Sequence, residues 1–191
     1  MESVLKDFFN NYTDFSEKDL ALISGHFKPK SIKKGKYTLK EGEVCKDLLL
    51  LKKGCLRLYY LHEGVEVSVW FAFEKSSAIE MYSFISGKPS SYFIQAIEDC
   101  EIIYLPKAEL NKLLKQVPEM ETLMRKFWED VILNLLTRFT ALQKDSAMTR
   151  YLHLMKHPEY LAKIPQKYLA SFIGVTPSTL SRIRRRITKA N

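Results

Sequence analysis

The chain is short of the residues that build covalent or metal frameworks. Its 191 residues include three cysteines, Cys45, Cys55 and Cys100, far apart and outside any CxxC or Cys/His cluster. Such a set cannot pair completely and does not match zinc or iron–sulfur ligand spacing, so the expectation is buried, reduced thiols and no metal or other cofactor. Histidine is scarce too: His26, His62, His153 and His157 are scattered, and only His62 falls among the predicted strands. Without clustered His and carboxylate ligands a metal-dependent enzyme is disfavoured, and the chain reads as a non-enzyme. There is no apolar run long enough for a membrane-spanning helix. The N-terminus, MESVLKDFFNNYTDF, lacks a signal-peptide layout, which predicts a cytoplasmic protein.

Acidic residues almost vanish from the C-terminal end. Between Arg150 and Asn191 nine Lys/Arg face one acid, Glu159, a net of +8 that equals the formal charge of the whole chain. Residues 1–149 are therefore neutral. Charge gathered in one terminal segment is the electrostatic signature of a nucleic-acid-binding module, although a solvated basic end would look the same on charge alone.

The apolar pattern inside this segment separates the two readings. In IPQKYLASFIGVTPSTLSRIRRRI, residues 164–187, Leu169, Phe172 and Ile173 recur at helical spacing and predict a short helix from about Gln166 to Phe172. Gly174 follows where a helix C-terminus tolerates left-handed dihedrals. Thr176-Pro177 then restarts a helix, with Thr as N-cap and Pro at the first position. The second helix buries Leu180, Ile183 and Ile187, and Ala170 is small enough for close crossing of the two. This is a helix-turn-helix pattern. At about 100° per residue the opposite face holds Ser178, Ser181, Arg182, Arg185 and Lys189. The candidate DNA-binding set is Thr176, Ser178, Thr179, Ser181, Arg182, Arg184, Arg185 and Arg186, with Arg182 expected to contact a base and Arg184 and Arg186 flanking it. An ordinary helical hairpin with a charged outer face is the alternative.

Upstream, residues 1 to about 28 read as helical, with a Ser16-x-x-Asp19 cap. From Ser31 to about Leu105 short β-favouring runs appear: Tyr37–Leu39, Leu48–Leu51, Cys55–Leu61, Val65–Phe73, Tyr92–Ala96 and Ile102–Leu105. Turn signals separate many of them, which argues for an antiparallel sandwich or barrel. Pro106 opens a short helix, and Pro118 opens the longest helical pattern, to about Lys144. Its apolar stripe is too wide for one sheet alone. Within it Trp128, Ile132, Leu135, Phe139 and Leu142 step at the coiled-coil period and form the candidate dimer interface. His157-Pro158 ends a further helix through Tyr151 and Leu154.

This order, with Gly42-Glu43 before Leu48–Leu51, Gly54 in the next turn, Glu80 with Gly87-Lys88-Pro89, and the helix-turn-helix, resembles the Crp/Fnr family of bacterial transcription regulators across nearly the whole chain. The resemblance implies an α+β fold: an N-terminal antiparallel, jelly-roll-like β-roll similar to cyclic-nucleotide-binding domains, a long dimerisation helix and a C-terminal helix-turn-helix. The implied domains are a sensor over 1–117, the dimerisation helix over 118–145 and the DNA-binding part over 146–191. Implied partners are a second copy, a palindromic double-stranded DNA operator, RNA polymerase and an unidentified small-molecule effector, with no membrane. In nucleotide-binding members a Gly-Glu pair is followed ten residues after the Glu by Arg-Ser, the Glu taking the ribose hydroxyl and the Arg the cyclic phosphate. Here Ile79 precedes Glu80, and Ser90-Ser91 stands at the Arg-Ser position, so the candidate ligand pocket is Glu80, Lys88, Ser90 and Ser91. Loss of the guanidinium removes a charge-assisted hydrogen bond worth roughly 1.5–3 kcal/mol, and loss of cyclic AMP binding is expected. Only Thr188 to Asn191 follow the second helix, which implies a truncated or absent wing. The N-terminal cysteine cluster of oxygen-sensing members is missing. The alternatives are a cyclic-nucleotide-responsive regulator of the same type and a sensor acting through protein contacts without DNA.

Overall fold

A computed structural model of the chain describes residues 2–190, with side chains for residues 4–188. Helices α1 (Glu2–Phe9) and α2 (Glu17–Ser24) precede strands β1 (Lys28–Ile32), β2 (Tyr37–Leu39), β3 (Asp47–Lys53), β4 (Leu56–His62), β5 (Val65–Ala72) and β6 (Ser77–Ala78). Helix α3 (Met81–Ser86) leads into β7 (Phe93–Ala96) and β8 (Cys100–Pro106). The remainder is helical: α4 (Lys107–Gln116), α5 (Glu119–Lys144), α6 (Ala147–Met155), α7 (Pro158–Lys163), α8 (Gln166–Phe172) and α9 (Pro177–Ala190). The strands form two four-stranded sheets of a β-roll, in the orders β1-β8-β3-β6 and β2-β7-β4-β5. The α+β roll expected from the sequence is the fold observed.

Local chemistry explains the element boundaries. Ser16 caps α2 by accepting a hydrogen bond from the Asp19 N–H at 3.1 Å. Strand β3 carries four consecutive buried leucines, Leu48 to Leu51. Such a run marks a strand covered on both faces, and β3 lies inside its sheet between β8 and β6. Strand β1, which has no counterpart among the predicted strands, is its opposite: of Lys28-Pro-Lys-Ser-Ile only Ile32 is buried. It is an edge strand, where a proline and lysines are tolerated, and its register against β8 runs from Lys28↔Tyr104 to Ile32↔Cys100. Helices α3 and α7 also go beyond the sequence expectation; His157-Pro158 does end α6, and Pro158 then starts α7.

The chain divides into two compact units, one made of Met1–Leu58 with Phe71–Val131 and the other of Tyr59–Trp70 with Ile132–Asn191. Boundaries were expected at 117 and 145; by packing, α5 is divided between the units at Val131/Ile132. In the first unit one core joins the roll to α1, α2, α4 and the start of α5. Phe8 meets Phe127 edge-on at 5.7 Å, and Phe9 meets Phe27 at 6.4 Å. Tyr12 donates its hydroxyl to Asp130 at 3.3 Å. Burial, reinforced by the Asp130 charge, pushes the Tyr12 phenol up to about 12. Trp128 belongs here as well: it is half-buried, with ring centroids 4.8 Å from Phe127 and 6.2 Å from Phe84. Of the five residues expected in the dimer seam, Trp128 is thus the one that also packs on its own core.

Gly54 sets the spacing between the ends of the two sheets. Its φ is +102°, and a Cβ there would stand 2.6 Å from Cys100 Sγ and 2.8 Å from the Asp99 carbonyl oxygen. Only glycine meets both demands. All three cysteines are buried thiols, none in a disulfide.

Candidate nucleic-acid interface and ligand cassette

In the second unit α8 and α9 pack through Leu169, Ala170, Ile173, Leu180 and Ile183, all buried. Ala170 is fully buried, so a larger side chain would push the helices apart. The turn between them follows the sequence reading. Gly174 has φ +71°, and the Val175 N–H bonds the Ala170 carbonyl at 2.9 Å. Thr176 Oγ1 then caps α9 by accepting from the Thr179 N–H at 3.2 Å.

The outward face of α9 carries the expected polar set. Ser178, Arg182, Arg185 and Arg186 are exposed, and Thr179 and Ser181 are half-buried. At its start Thr176 Oγ1 lies 2.9 Å from Ser178 Oγ, and Arg182 Nη2 donates to Thr179 Oγ1 at 3.1 Å. Hydroxyls and a guanidinium thus share the first turns, the chemistry that base edges and phosphates require. Arg184, also in the expected set, has a partner within the chain. It is half-buried and donates Nε–H to the Tyr151 hydroxyl at 2.9 Å, so it braces α9 against α6. Ile187 is half-buried, and the Lys189 side chain lies outside the described residues.

Helix α8 is held at both its side and its end. The β5 Ser68 N–H donates to Ser171 Oγ at 3.1 Å, and Ser171 Oγ–H donates to Ser68 Oγ at 2.9 Å. Because β5 is an edge strand, this contact satisfies a backbone donor that its sheet leaves open. At the C-terminus of α8, Arg138 Nη2 donates to the Phe172 carbonyl at 2.7 Å, its guanidinium 3.6 Å from the Phe172 ring centroid. Arg150 donates Nε–H to the Ile173 carbonyl at 2.8 Å and Nη1–H to the Asp145 carbonyl at 2.6 Å. Burial lowers the Arg138 guanidinium to about 10. The sequence reading did not single out either arginine for these contacts; the available signal was a cation, Arg138, beside Phe139 inside the apolar stripe of α5. On that stripe Ile132, Leu135, Phe139 and Leu142 are exposed, as are Leu133 and Leu136.

The cassette residues lie in the first unit. Glu80 is buried and caps α3, its two carboxylate oxygens accepting from the Tyr82 N–H at 3.0 Å and the Ser83 N–H at 2.9 Å. Ser90 is buried, its Oγ accepting from the Tyr92 N–H at 2.9 Å, while Lys88 and Ser91 are exposed. The Gly42 N–H bonds the Ser90 carbonyl and the Ser90 N–H bonds the Glu43 carbonyl, both at 2.8 Å, fixing the cassette turn to the preceding loop. None of the four lines a cavity of about 420 Å³ whose walls include Thr38, Leu39, Cys45, Asp47, Leu49 and Ile94. Burial pushes the Asp47 carboxyl and the Cys45 thiol upward. Among the described residues no His/Cys/Asp/Glu group could hold a metal, and no helix is long and apolar enough to cross a membrane.

Residues 29–117 match the sequence profile of the cyclic nucleotide-binding domain. No curated protein sequence matches the chain. Among solved structures the chain is similar to FixK2 from Bradyrhizobium japonicum, with TM-score 0.72 and 17% identity over 86% of this chain and 85% of that one. It is similar to CLP, a c-di-GMP-responsive global regulator that links cell-cell signalling to virulence gene expression in Xanthomonas campestris, with TM-score 0.71 and 12% identity over 92% and 93%. A transcriptional regulator assigned to the crp/fnr family from Eubacterium rectale gives TM-score 0.71 and 18% identity over 96% and 88%. Residues 29–117 therefore match the cyclic nucleotide-binding domain, and the chain shares the fold of solved Crp/Fnr transcription regulators.

Proposed function

We propose that the chain is a cytoplasmic, homodimeric transcription regulator of the Crp/Fnr type that reads a palindromic operator through α9. The observation that carries this is the outward face of α9, where Ser178, Arg182, Arg185 and Arg186 stand clear of a helix pair whose turn is fixed by Gly174. The net charge of +8 over residues 150–191 adds the electrostatic attraction that phosphates provide for. The neighbours' shared fold supports the same reading. In a two-fold dimer the half-sites are expected about one helical turn, roughly 34 Å, apart.

The sensor is proposed to have lost tight cyclic-nucleotide binding. Ser90 replaces the phosphate-binding arginine, and both oxygens of Glu80 are engaged by backbone N–H groups of α3. The match of residues 29–117 to the nucleotide-binding profile favours the alternative of a nucleotide-responsive regulator, and titration with cyclic nucleotides separates the two.

The test of DNA reading is affinity for selected and scrambled duplexes over a range of salt. Log affinity should fall linearly with log salt, with a slope set by the number of phosphates engaged. Arg182→Ala should cost roughly 1–3 kcal/mol on the selected duplex and relax preference at one base pair per half-site. An equal loss on both duplexes would make Arg182 a phosphate contact. Absence of salt-dependent binding would favour a sensor acting through protein contacts.

A further inference from the structure

A recognition helix reads sequence only if its angle to the rest of its domain is fixed, and the structure shows what fixes it. Helix α8 ends at a sharp turn that leaves its last carbonyls without intrahelical partners. Two of them are taken by guanidinium groups from different elements: the Phe172 carbonyl by Arg138 of α5 at 2.7 Å, the Ile173 carbonyl by Arg150 of α6 at 2.8 Å. Arg150 also holds the Asp145 carbonyl at 2.6 Å, tying the corner between α5 and α6 to the same turn. The Arg138 guanidinium lies 3.6 Å from the Phe172 ring centroid, and Tyr160 stacks on that ring at 5.5 Å and 29°. Side-chain cations here do the work of a helix C-cap, immediately before the Gly174 turn from which α9 starts.

We propose that Arg138 and Arg150 are positioning residues for DNA reading, fastening the α8–α9 turn to α5 and α6 so that the operator preference of α9 depends on them without their contacting bases. The role rests on the DNA-reading function proposed above. Arginine is the residue this geometry requires. A planar guanidinium donates to a carbonyl while lying on an aromatic face, whereas a lysine ammonium is a point charge with no plane. Arg138 is also half-buried at this contact, its guanidinium engaged by the Phe172 carbonyl and ring.

The experiment uses the full chain and the duplex that the wild type selects from a random pool. Arg138→Lys keeps the charge and removes the plane; Arg138→Gln removes the charge; Phe172→Leu removes the platform and keeps the carbonyl. For Arg138→Lys the ratio of selected to scrambled affinity should fall roughly tenfold, the scale of one lost charge-assisted hydrogen bond. Its salt slope and native mass should stay at wild-type values, and amide exchange at Gly174 and Val175 should quicken. Arg150→Lys should behave alike, and Phe172→Leu should shift the ratio the same way by less. Wild-type specificity in Arg138→Lys would overturn the proposal. So would an equal loss on both duplexes with a flatter salt slope in Arg138→Gln, the mark of a phosphate contact. If Arg138→Gln fails to fold, the lysine and Phe172 variants decide between these outcomes. A wild type that selects no sequence defeats the DNA-reading function itself, and that failure is told apart because it precedes any variant.

Discussion

Charging the exposed stripe of α5 should convert a dimer into monomers. Ile132, Leu133, Leu135, Leu136, Phe139 and Leu142 are between 41% and 63% exposed on one helix, an amount of apolar surface that a monomer seldom keeps in water. Burying such a side chain fully is worth about 1.5–3 kcal/mol, so covering the exposed half returns about 1 kcal/mol each. Six side chains on each of two protomers then supply about 12 kcal/mol before costs. Lost translational and rotational freedom costs at least about 4 kcal/mol. The remainder, at most about 8 kcal/mol, corresponds to a Kd no tighter than about one micromolar. Leu135→Glu with Phe139→Glu removes four of the twelve contributions, about 4 kcal/mol, and leaves four carboxylates that must stay solvated. Dimer affinity should fall at least about a thousandfold. Native mass spectrometry or sedimentation over a concentration series measures this directly. A wild type that stays monomeric at tens of micromolar, or a double variant that dimerises as well as the wild type, would refute the reasoning.

Gly54→Ala should destabilise the first unit by at least about 2 kcal/mol, since its Cβ meets Cys100 Sγ at 2.6 Å on a positive-φ backbone; the urea midpoint reports this. Tyr12 ionises in the unfolded chain near its ordinary value of 10.0 and in the fold only near about 12. Folding therefore favours the neutral phenol, and the stability this contributes is complete below pH 10 and lost as pH rises to about 12. Tyr12→Phe should flatten the stability profile across that window; an unchanged profile would place the ionisation elsewhere. Calorimetry with cyclic AMP and cyclic GMP should show nothing tighter than about 100 μM, and a low-micromolar Kd would show that another group has replaced the arginine absent at Ser90.

The helix-turn-helix was legible because its signals are local: apolar spacing, Gly174 at the turn and Thr176-Pro177 as cap and first turn each act within a few residues. The roll strands were legible for the same reason wherever their side chains are apolar. Strand β1 was not, because an edge strand is defined by its partner β8 and needs no apolar alternation of its own. The α5 periodicity revealed an apolar stripe and could not divide it. Only packing assigned Trp128 to its own core and left Ile132 onward exposed. Glu80 was recognisable as a cassette residue, while its engagement with the α3 N–H groups depends on where the chain turns. Arg138, Arg150 and Arg184 show the limit most plainly. In sequence each is one more cation of a basic chain, and what each does is set by the group beside it: the Phe172 ring and carbonyl, the Ile173 carbonyl and the Tyr151 hydroxyl. Sequence by itself determined which segments bury which faces, because burial follows residue type and period. Tertiary structure decided which polar groups are spent on holding the fold and which remain for a partner, because a hydrogen bond is fixed by distance between residues the sequence keeps far apart.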